Sequence, residues 1–599
     1  MTTADRTADD LTSHWRGRAR FVVLDAAFGA GDAFLAARRV WRSDPDRCDV
    51  FHYLGVRPPH DAVHDELAAC WPPATDNLHR LVFEGGAVQL LVGFGDFGHV
   101  VRRIEGAVDA FLLDGLPVDA MAQVKAIARL AAPGAIAVAR TADPSLDDAL
   151  RRAGFTVHRD GAALRAVFAP RFTPRMPARR AAAPVDPREP VVIVGAGLAG
   201  CATAGALAEF GRSSIVLERR SEPASEGSGN AVGLFHGVVH RGDGHHARFH
   251  RAAALAAHSA VAAAMAGGQA GSVDGLLRIE TGASLAEMQR TIEDLDLPPN
   301  YVRAVDAHES SRLAGTTVAS AAWFFRQGGW VDPRGLCRSY LASAGARAEL
   351  RTNSVEAALC RDGDHWRLDG PDGAPVVRSA HVVLACAGAA IDLLGRPGWP
   401  LERSRGQVSS WPASEWRPDA LPRLPVTGAG YVAPPVSGRV WFGASSRRVD
   451  HDEADDTLCD ADQRFNRDRL AALLAEAPRR PDGPLGGRVG FRWSADDRLP
   501  VIGAVPGNSS RWQQDGVRLD QPRFVPRAPG LYVFTALGSR GIATSALGGA
   551  VIAAAITGGP SPLERDLLDA VDPARFVSRA VRRGLQPPVG FMAAGSIGG

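Results

Sequence analysis

The chain has 599 residues, more than one ordinary domain gathers around a single core, so two units are expected. A hydrophobic fraction of 46% and a charged fraction of 22% exclude a disordered polypeptide, and a formal net charge of +2 excludes a chain whose overall field draws nucleic acid. Seven cysteines are scattered with no C-x-x-C pair and no Cys/His cluster at ligand spacing, which argues against a disulfide framework and predicts no metal site.

The N-terminus, MTTADRTADDLTSHWRGRAR, carries acids where a signal peptide would have a basic and then an apolar run. No stretch of about 18 apolar residues follows, so no transmembrane helix and a cytoplasmic location are expected. From Phe21 to Phe168, short apolar runs alternate with helical patterns. FVVLDAAF reads as a strand and AFLAARRVW as the helix after it, with FHYLGV, VQLLVG, AFLLDG, AIAVA and LRAVFA as further strands. The alternation predicts a Rossmann-like α/β domain over residues 1–170, a parallel sheet with crossover helices. Residues 171–190 are rich in proline and arginine; proline blocks helix and central strand alike, so this is read as a linker. Its arginines serve solubility or form a phosphate-binding tether.

Residues 191–585 are read as a second α/β domain, followed by a Pro/Gly-rich tail, 586–599, that frays. The alanine-rich run Ala252–Ala266 reads as a packed helix. Val376–Leu384, Arg439–Gly443 and Leu531–Thr535 read as strands, and Ser545–Ile556 as a long apolar helix.

This domain opens with the strongest motif in the chain. Val191-Val-Ile-Val194 runs into Gly195-Ala-Gly197-Leu-Ala-Gly200, a small-residue helix, and a second strand ending in Glu218. Gly195 permits the tight turn, Gly197 lets the backbone approach a pyrophosphate, and Gly200 lets the helix pack close to the strand. The helix N-terminus offers free N–H groups to phosphates, and Glu218 stands where a carboxylate takes ribose hydroxyls. Three later segments favour FAD over NAD: the strand ending in Ala385-Cys-Ala-Gly388, the turn Ser225-Glu-Gly-Ser228-Gly229-Asn230, and the strand-turn-helix Gly530 to Ile542 containing Gly538, Ser539 and Gly541.

Val191–Gly200, Ser228-Gly229-Asn230, Arg405-Gly-Gln-Val-Ser409, Gly430-Tyr431-Val-Ala-Pro434, Gly490-Phe-Arg492 with Asp497-Arg-Leu-Pro500, and Gly538-Ser-Arg-Gly541 together resemble the bifunctional tRNA 5-methylaminomethyl-2-thiouridine biosynthesis proteins, the MnmC family. The resemblance covers almost the whole chain and is more specific after Val191. It implies a C-terminal FAD-dependent oxidoreductase of the glycine, sarcosine and D-amino-acid oxidase type, with FAD bound non-covalently. That domain removes the carboxymethyl group from a carboxymethylaminomethyl side chain on the wobble uridine of tRNA. The N-terminal methyltransferase-type domain then methylates the exposed amine with S-adenosylmethionine. The resemblance also implies Arg492 as the carboxylate-binding arginine, with Tyr431 lining the pocket and Arg540 touching substrate or the flavin carbonyl edge. A surface pairing of Arg492 with Asp496 or Asp497 is the structural alternative.

The N-terminal half departs from the family pattern. Its glycine loop survives in part as Asp25-Ala-Ala27-Phe28-Gly29-Ala30-Gly31, with alanine where the family has glycine at position 27. Asp25, Gly29 and Gly31 are the candidate contacts to S-adenosylmethionine. The second strand ends in Gly55-Val-Arg57-Pro, with no acid for the ribose. Asp114 matches the start of the catalytic loop, but the stretch that follows in the family is shortened before Ala120. Three readings stay open: a tRNA-modifying enzyme with both activities, an oxidase with a non-catalytic N-terminal binding domain, and an oxidase of free glycine, sarcosine or a D-amino acid. The pairing of both domains in one chain suggests a monomer.

Overall fold

Short runs of valine, leucine and phenylalanine, buried on both faces, build an eight-stranded sheet in the N-terminal part. Its strands are β1 (Arg20–Asp25), β2 (Val50–Arg57), β3 (Leu78–Phe83), β4 (Val88–Phe94), β5 (Val108–Leu112), β6 (Ala131–Arg140), β7 (Phe155–Asp160) and β8 (Ala163–Phe168). They lie in the order β3-β4-β2-β1-β5-β6-β8-β7. This computed structural model describes residues 11–116, 120–140, 143–161, 163–171, 179, 186, 188–474, 485–507, 512 and 517–588. The tail from 589 and most of the linker fall outside them.

The pairs β4–β2, β2–β1, β1–β5 and β5–β6 are parallel, as the alternating pattern predicts. The edges are not: β3 runs antiparallel to β4, and β8 antiparallel to both β6 and β7. Alternate residues of β1 enter opposite layers, Val22 and Leu24 with Val100 and Ile127, Phe21 and Val23 with Trp15 and Phe34. The chain leaves β1 toward β2 on one side, while β5 lies on the other. The carboxyl ends of β1 and β5 therefore flank the crevice where open α/β sheets bind ligands.

The chain divides into two compact units: Met1–Pro184 with Leu207–Arg212 and Ala553–Asp569, and Val185–Ala206 with Ser213–Ile552 and Ala570–Gly599. In the first, the buried Glu564 carboxylate accepts from Asn77 Nδ2 at 3.1 Å and Leu78 N at 2.9 Å, which fastens the 553–569 segment to β3. Arg179, a linker arginine, pairs with Asp569 at 2.7 Å and Glu105 at 3.8 Å, all nearly buried, so this cation is structural and is not offered to phosphate.

The second unit holds a six-stranded sheet in the order Ala348–Arg351, Ser214–Leu217, Val191–Val194, Val382–Leu384, Arg527–Thr535, Val501–Pro506. All neighbours are parallel except the last pair. A second, nine-stranded sheet is organised around Leu401–Pro412, which pairs antiparallel with Gly486–Ala495 over ten consecutive residue pairs. The expected single strand Val376–Leu384 is two, Pro375–Ser379 and Val382–Leu384, in different sheets. Ser379 breaks it: its Oγ accepts from His381 N at 3.1 Å and lies 2.8 Å from Pro190 O, turning the backbone out of line. Ala252–Ala266 lies within the helix His245–Ala266, and Ser545–Ile556 within Gly541–Thr557. Among the described residues no helix is long and apolar enough to cross a membrane.

Candidate functional site

In the second unit the glycine motif occupies the turn between the strand Val191–Val194 and the helix Leu198–Glu209. Gly195 sits at φ +102°, a region side chains rarely adopt, and an added Cβ would meet Ala385 O at 2.8 Å. A Cβ on Gly200 would stand 1.8 Å from Gly195 O, so helix and turn approach only because that carbon is missing. A Cβ on Gly197 would meet Ser228 Oγ at 3.1 Å. Ser228 Oγ accepts from Leu198 N at 3.1 Å, satisfying one of the free donors of the helix start. Glu218 is buried at the end of the next strand. Its carboxylate accepts from Ala196 N and Arg220 N, both at 2.9 Å, which holds it beside the turn. A turn that a single Cβ would fill, beside a helix start and a fixed carboxylate, fits the pyrophosphate and ribose of FAD.

The remaining predicted cofactor residues divide. A Cβ on Gly229 would strike Arg488 Nη2 at 2.6 Å, and Asn230 Oδ1 accepts from Arg488 Nη1 at 3.1 Å. Arg488 also donates to Ser225 O at 2.9 Å and Glu226 O at 2.7 Å, so one guanidinium fixes the whole 225–230 turn. Gly388 is required by a neighbour: a Cβ there would lie 2.4 Å from the Trp493 indole. Gly538, at φ +56°, donates its N–H to Trp493 O at 2.8 Å. Gly541 opens the helix Gly541–Thr557 and faces Leu198, which brings two helix starts together; Ser539 is exposed. Arg488 and Trp493 escaped the motif reading. The signal was present, since Arg488, Gly490 and Arg492 alternate along one strand and share a face.

Arg492 stands on that strand with its guanidinium against Gly406: a Cβ there would lie 3.3 Å from Cζ. Burial lowers its pKa, and the nearby Tyr431 hydroxyl opposes the shift. Among the described residues no hydrogen bond or ion pair engages this guanidinium. The surface alternative does not hold: Asp497 takes Arg575 at 2.9 Å and Arg579 at 2.5 Å, and Asp496 takes Arg579 at 3.0 Å. Burial pushes the Tyr431 phenol up to about 12, so it is a hydrogen-bond donor at neutral pH. Arg540 makes one long contact, to His236 O at 3.4 Å, and has no acid partner among the described residues. Burial, with Arg278 nearby, brings it down to about 10, and His236 is pushed down to about 3 by burial and by Arg540. Arg405, by contrast, is scaffold, bound to Asp462 at 2.7 Å and Asp455 O at 3.0 Å. The second unit thus presents a dinucleotide cradle and two guanidiniums without carboxylates, which suits an anionic substrate.

In the first unit, Asp25 ends β1 and is buried. Its carboxylate accepts from Tyr53 Oη at 2.6 Å and Ala27 N at 3.0 Å, and burial raises its pKa. Gly29 and Gly31 take φ +57° and +100° in the following turn. Asp114 lies just past the end of β5, with its carboxylate engaged by Arg140 through the backbone N–H at 2.6 Å, Nε at 3.0 Å and Nη2 at 2.6 Å. No group of three or more His, Cys, Asp and Glu residues among the described residues is placed to hold a metal ion.

A family model described as FAD dependent oxidoreductase matches residues 190–555. A protein of Methylibium petroleiphilum named tRNA 5-methylaminomethyl-2-thiouridine biosynthesis bifunctional protein MnmC is 41% identical, covering 94% of this chain and 91% of its own. A Burkholderia thailandensis protein of the same name is 36% identical, covering 96% and 93%. Among solved structures, the glycine oxidase of Geobacillus kaustophilus superposes with a TM-score of 0.50 at 19% identity, over 65% of this chain and 98% of that one. The L-proline dehydrogenase of P. horikoshii gives 0.51 at 15% identity, over 67% and 100%. Both speak to fold.

Proposed function

Because the chain belongs to the MnmC family of bifunctional tRNA 5-methylaminomethyl-2-thiouridine biosynthesis proteins, and over residues 190–555 to the FAD-dependent oxidoreductases, we propose that it acts on the wobble uridine of tRNA. It is an FAD-dependent oxidoreductase of a CH–NH bond, joined in one polypeptide to a methyltransferase-type domain. Its reaction is the oxidative removal of the carboxymethyl group from 5-carboxymethylaminomethyl-(2-thio)uridine. S-adenosylmethionine is the co-substrate of the family's methylation step.

Such a side chain is an N-substituted glycine, an amine beside a methylene that bears a carboxylate. FAD, when bound, would supply the acceptor for the hydride of that methylene. The amine gives up its proton, a C=N bond forms, and water adds to it; cleavage then leaves a primary amine on the uridine and releases glyoxylate. The protein has chiefly to hold the carboxylate and aim the C–H bond. Arg492 is the residue for the first task, since a planar guanidinium without a partner gains a bidentate one when substrate enters. Tyr431, a protonated phenol at neutral pH, adds a donor. Arg540 stays cationic and serves a second negative edge of substrate or cofactor. Gly195, Gly197, Gly200, Ser228 and Glu218 would hold the FAD pyrophosphate and ribose, and Gly388, Gly538, Ser539 and Gly541 would border the flavin.

Arg492 beside Tyr431, without an ion-pair partner among the described residues, carries this reading. The protein is proposed to work as a cytoplasmic monomer. The test is to incubate the flavin-loaded chain with tRNA bearing 5-carboxymethylaminomethyl-uridine and to identify the nucleosides by mass after digestion. Loss of the carboxymethyl group is expected. Rapid turnover of free glycine or sarcosine with the tRNA untouched would refute it.

A further inference from the structure

The crevice of the first unit does not meet the needs of S-adenosylmethionine. A nucleoside bound at the carboxyl ends of an open α/β sheet requires a bare turn after the first strand and an acceptor for the ribose hydroxyls at the end of the second. A polar group free to meet the incoming amine is needed as well. Each is altered. Ala27 puts a methyl into the turn, and that methyl faces the end of β5: a Cβ on Gly115 would lie 3.0 Å from it. β2 ends in Val56-Arg57, with no carboxylate. Arg57 is itself buried, 1% exposed, and folds back to donate to Ala62 O at 3.0 Å and to Asp61 O while its guanidinium lies over Trp71 at 5.2 Å. Its guanidinium is spent on its own loop, and the end of β2 presents no carboxylate to a ribose.

The carboxylates at the two neighbouring strand ends are engaged by their own chain. Asp25 is held by Tyr53 Oη and Ala27 N, and Asp114 by three donors of Arg140. Oδ1 of Asp114 accepts the Arg140 N–H and Oδ2 accepts both Nε and Nη2, an exposed ion pair with which an approaching amine must compete. The donor is a sulfonium cation, and Arg57 adds positive charge where an acid would have attracted it.

We propose that this chain does not hold S-adenosylmethionine, so that the primary amine left by the oxidation is the product it releases. Ala27, Arg57 and Arg140 are the cause. The inference rests on the oxidase reading only for the identity of that product; the binding claim stands apart from it.

Isothermal titration of the full-length, flavin-loaded protein with S-adenosylmethionine tests binding without any turnover. No saturable heat is expected from the native chain, and saturable binding from the folded variant carrying Ala27→Gly, Arg57→Glu and Arg140→Ser. Saturable binding by the native chain, or 5-methylaminomethyl-uridine in a tRNA digest made with S-adenosylmethionine present, overturns the proposal. If neither protein binds and the variant unfolds at the native temperature, the three residues are not the cause and the assignment falls. If tRNA is left unoxidised, the oxidase reading fails, while the titration still decides the donor question.

Discussion

Replacing Arg492 by glutamine removes a charge that no acid among the described residues balances, so activity should fall while stability does not. A carboxylate held by a buried guanidinium loses about 3–5 kcal/mol when the cation is deleted. At about 1.4 kcal/mol per decade this lowers kcat/KM for the modified tRNA by between about 10²- and 10⁴-fold. Arg492→Lys keeps the charge without the planar fork and should fall between the two. Stability should not drop: burial already disfavours the cation, and the substitution breaks no ion pair among the described residues. The assay is the rate of loss of the carboxymethyl nucleoside by mass spectrometry, alongside thermal unfolding and the flavin absorbance of the purified protein. A variant within threefold of native kcat/KM would refute the carboxylate anchor. A large fall in Tm with lost flavin would show Arg492 to be a structural cation instead.

Gly200→Ala should yield protein without flavin absorbance, because its Cβ must displace Gly195 O from 1.8 Å; a flavin-loaded variant would contradict the close approach. Arg488→Met frees the 225–230 turn from three anchors and should weaken FAD binding by about 10- to 100-fold, roughly the value of one or two charged hydrogen bonds, read from flavin fluorescence on dilution. His250, pushed well down by burial, and His236, pushed down to about 3, both bind protons more readily unfolded. Their contribution is complete above about pH 6.5 and is lost as pH falls toward the folded values, by about 1.4 kcal/mol per pH unit for each. Urea unfolding at pH 7.5 and pH 5 should show that loss, and the His236→Gln, His250→Gln protein should show less of it; equal slopes would discount both histidines. Arg527→Ala removes both guanidinium donors from the buried Asp572, 1% exposed and paired at 2.7 Å, and should destabilise the protein by about 3–5 kcal/mol, measured by the same unfolding.

Much of this could be read along the chain because local chemistry dictates it. The Gly195–Gly200 turn, the small-residue helix and the strand ending at Glu218 have a fixed order and spacing, and the structure sets them together as that spacing requires. The parallel core of the first sheet followed from alternating runs, whereas β3 and β7 are edge strands whose mixed polarity hides them. The break at Ser379 was hidden between two apolar stretches, Val376-Val377 and Val382–Leu384, since one side-chain hydroxyl decides it. That Arg492 has no ion-pair partner among the described residues was not legible at all: Asp496 and Asp497 stand four and five residues away, yet they belong to Arg575 and Arg579, some eighty residues on. Gly388 was singled out as a cofactor contact, and what needs its bareness is an indole on a strand that sequence places a hundred residues later.

The strand Gly486–Ala495 carries Arg488 and Arg492 on one face. Four residues of extended chain separate them, about 13 Å at 3.3 Å per residue, and the ten-pair ladder with Leu401–Pro412 leaves that spacing no slack. The strand therefore works as a ruler between the 225–230 turn held by Arg488 and the guanidinium proposed to hold the substrate carboxylate. Inserting a single residue between the two arginines would turn one of them to the opposite face. A residue added to a loop beside the strand leaves that spacing untouched, whereas one added inside it does not.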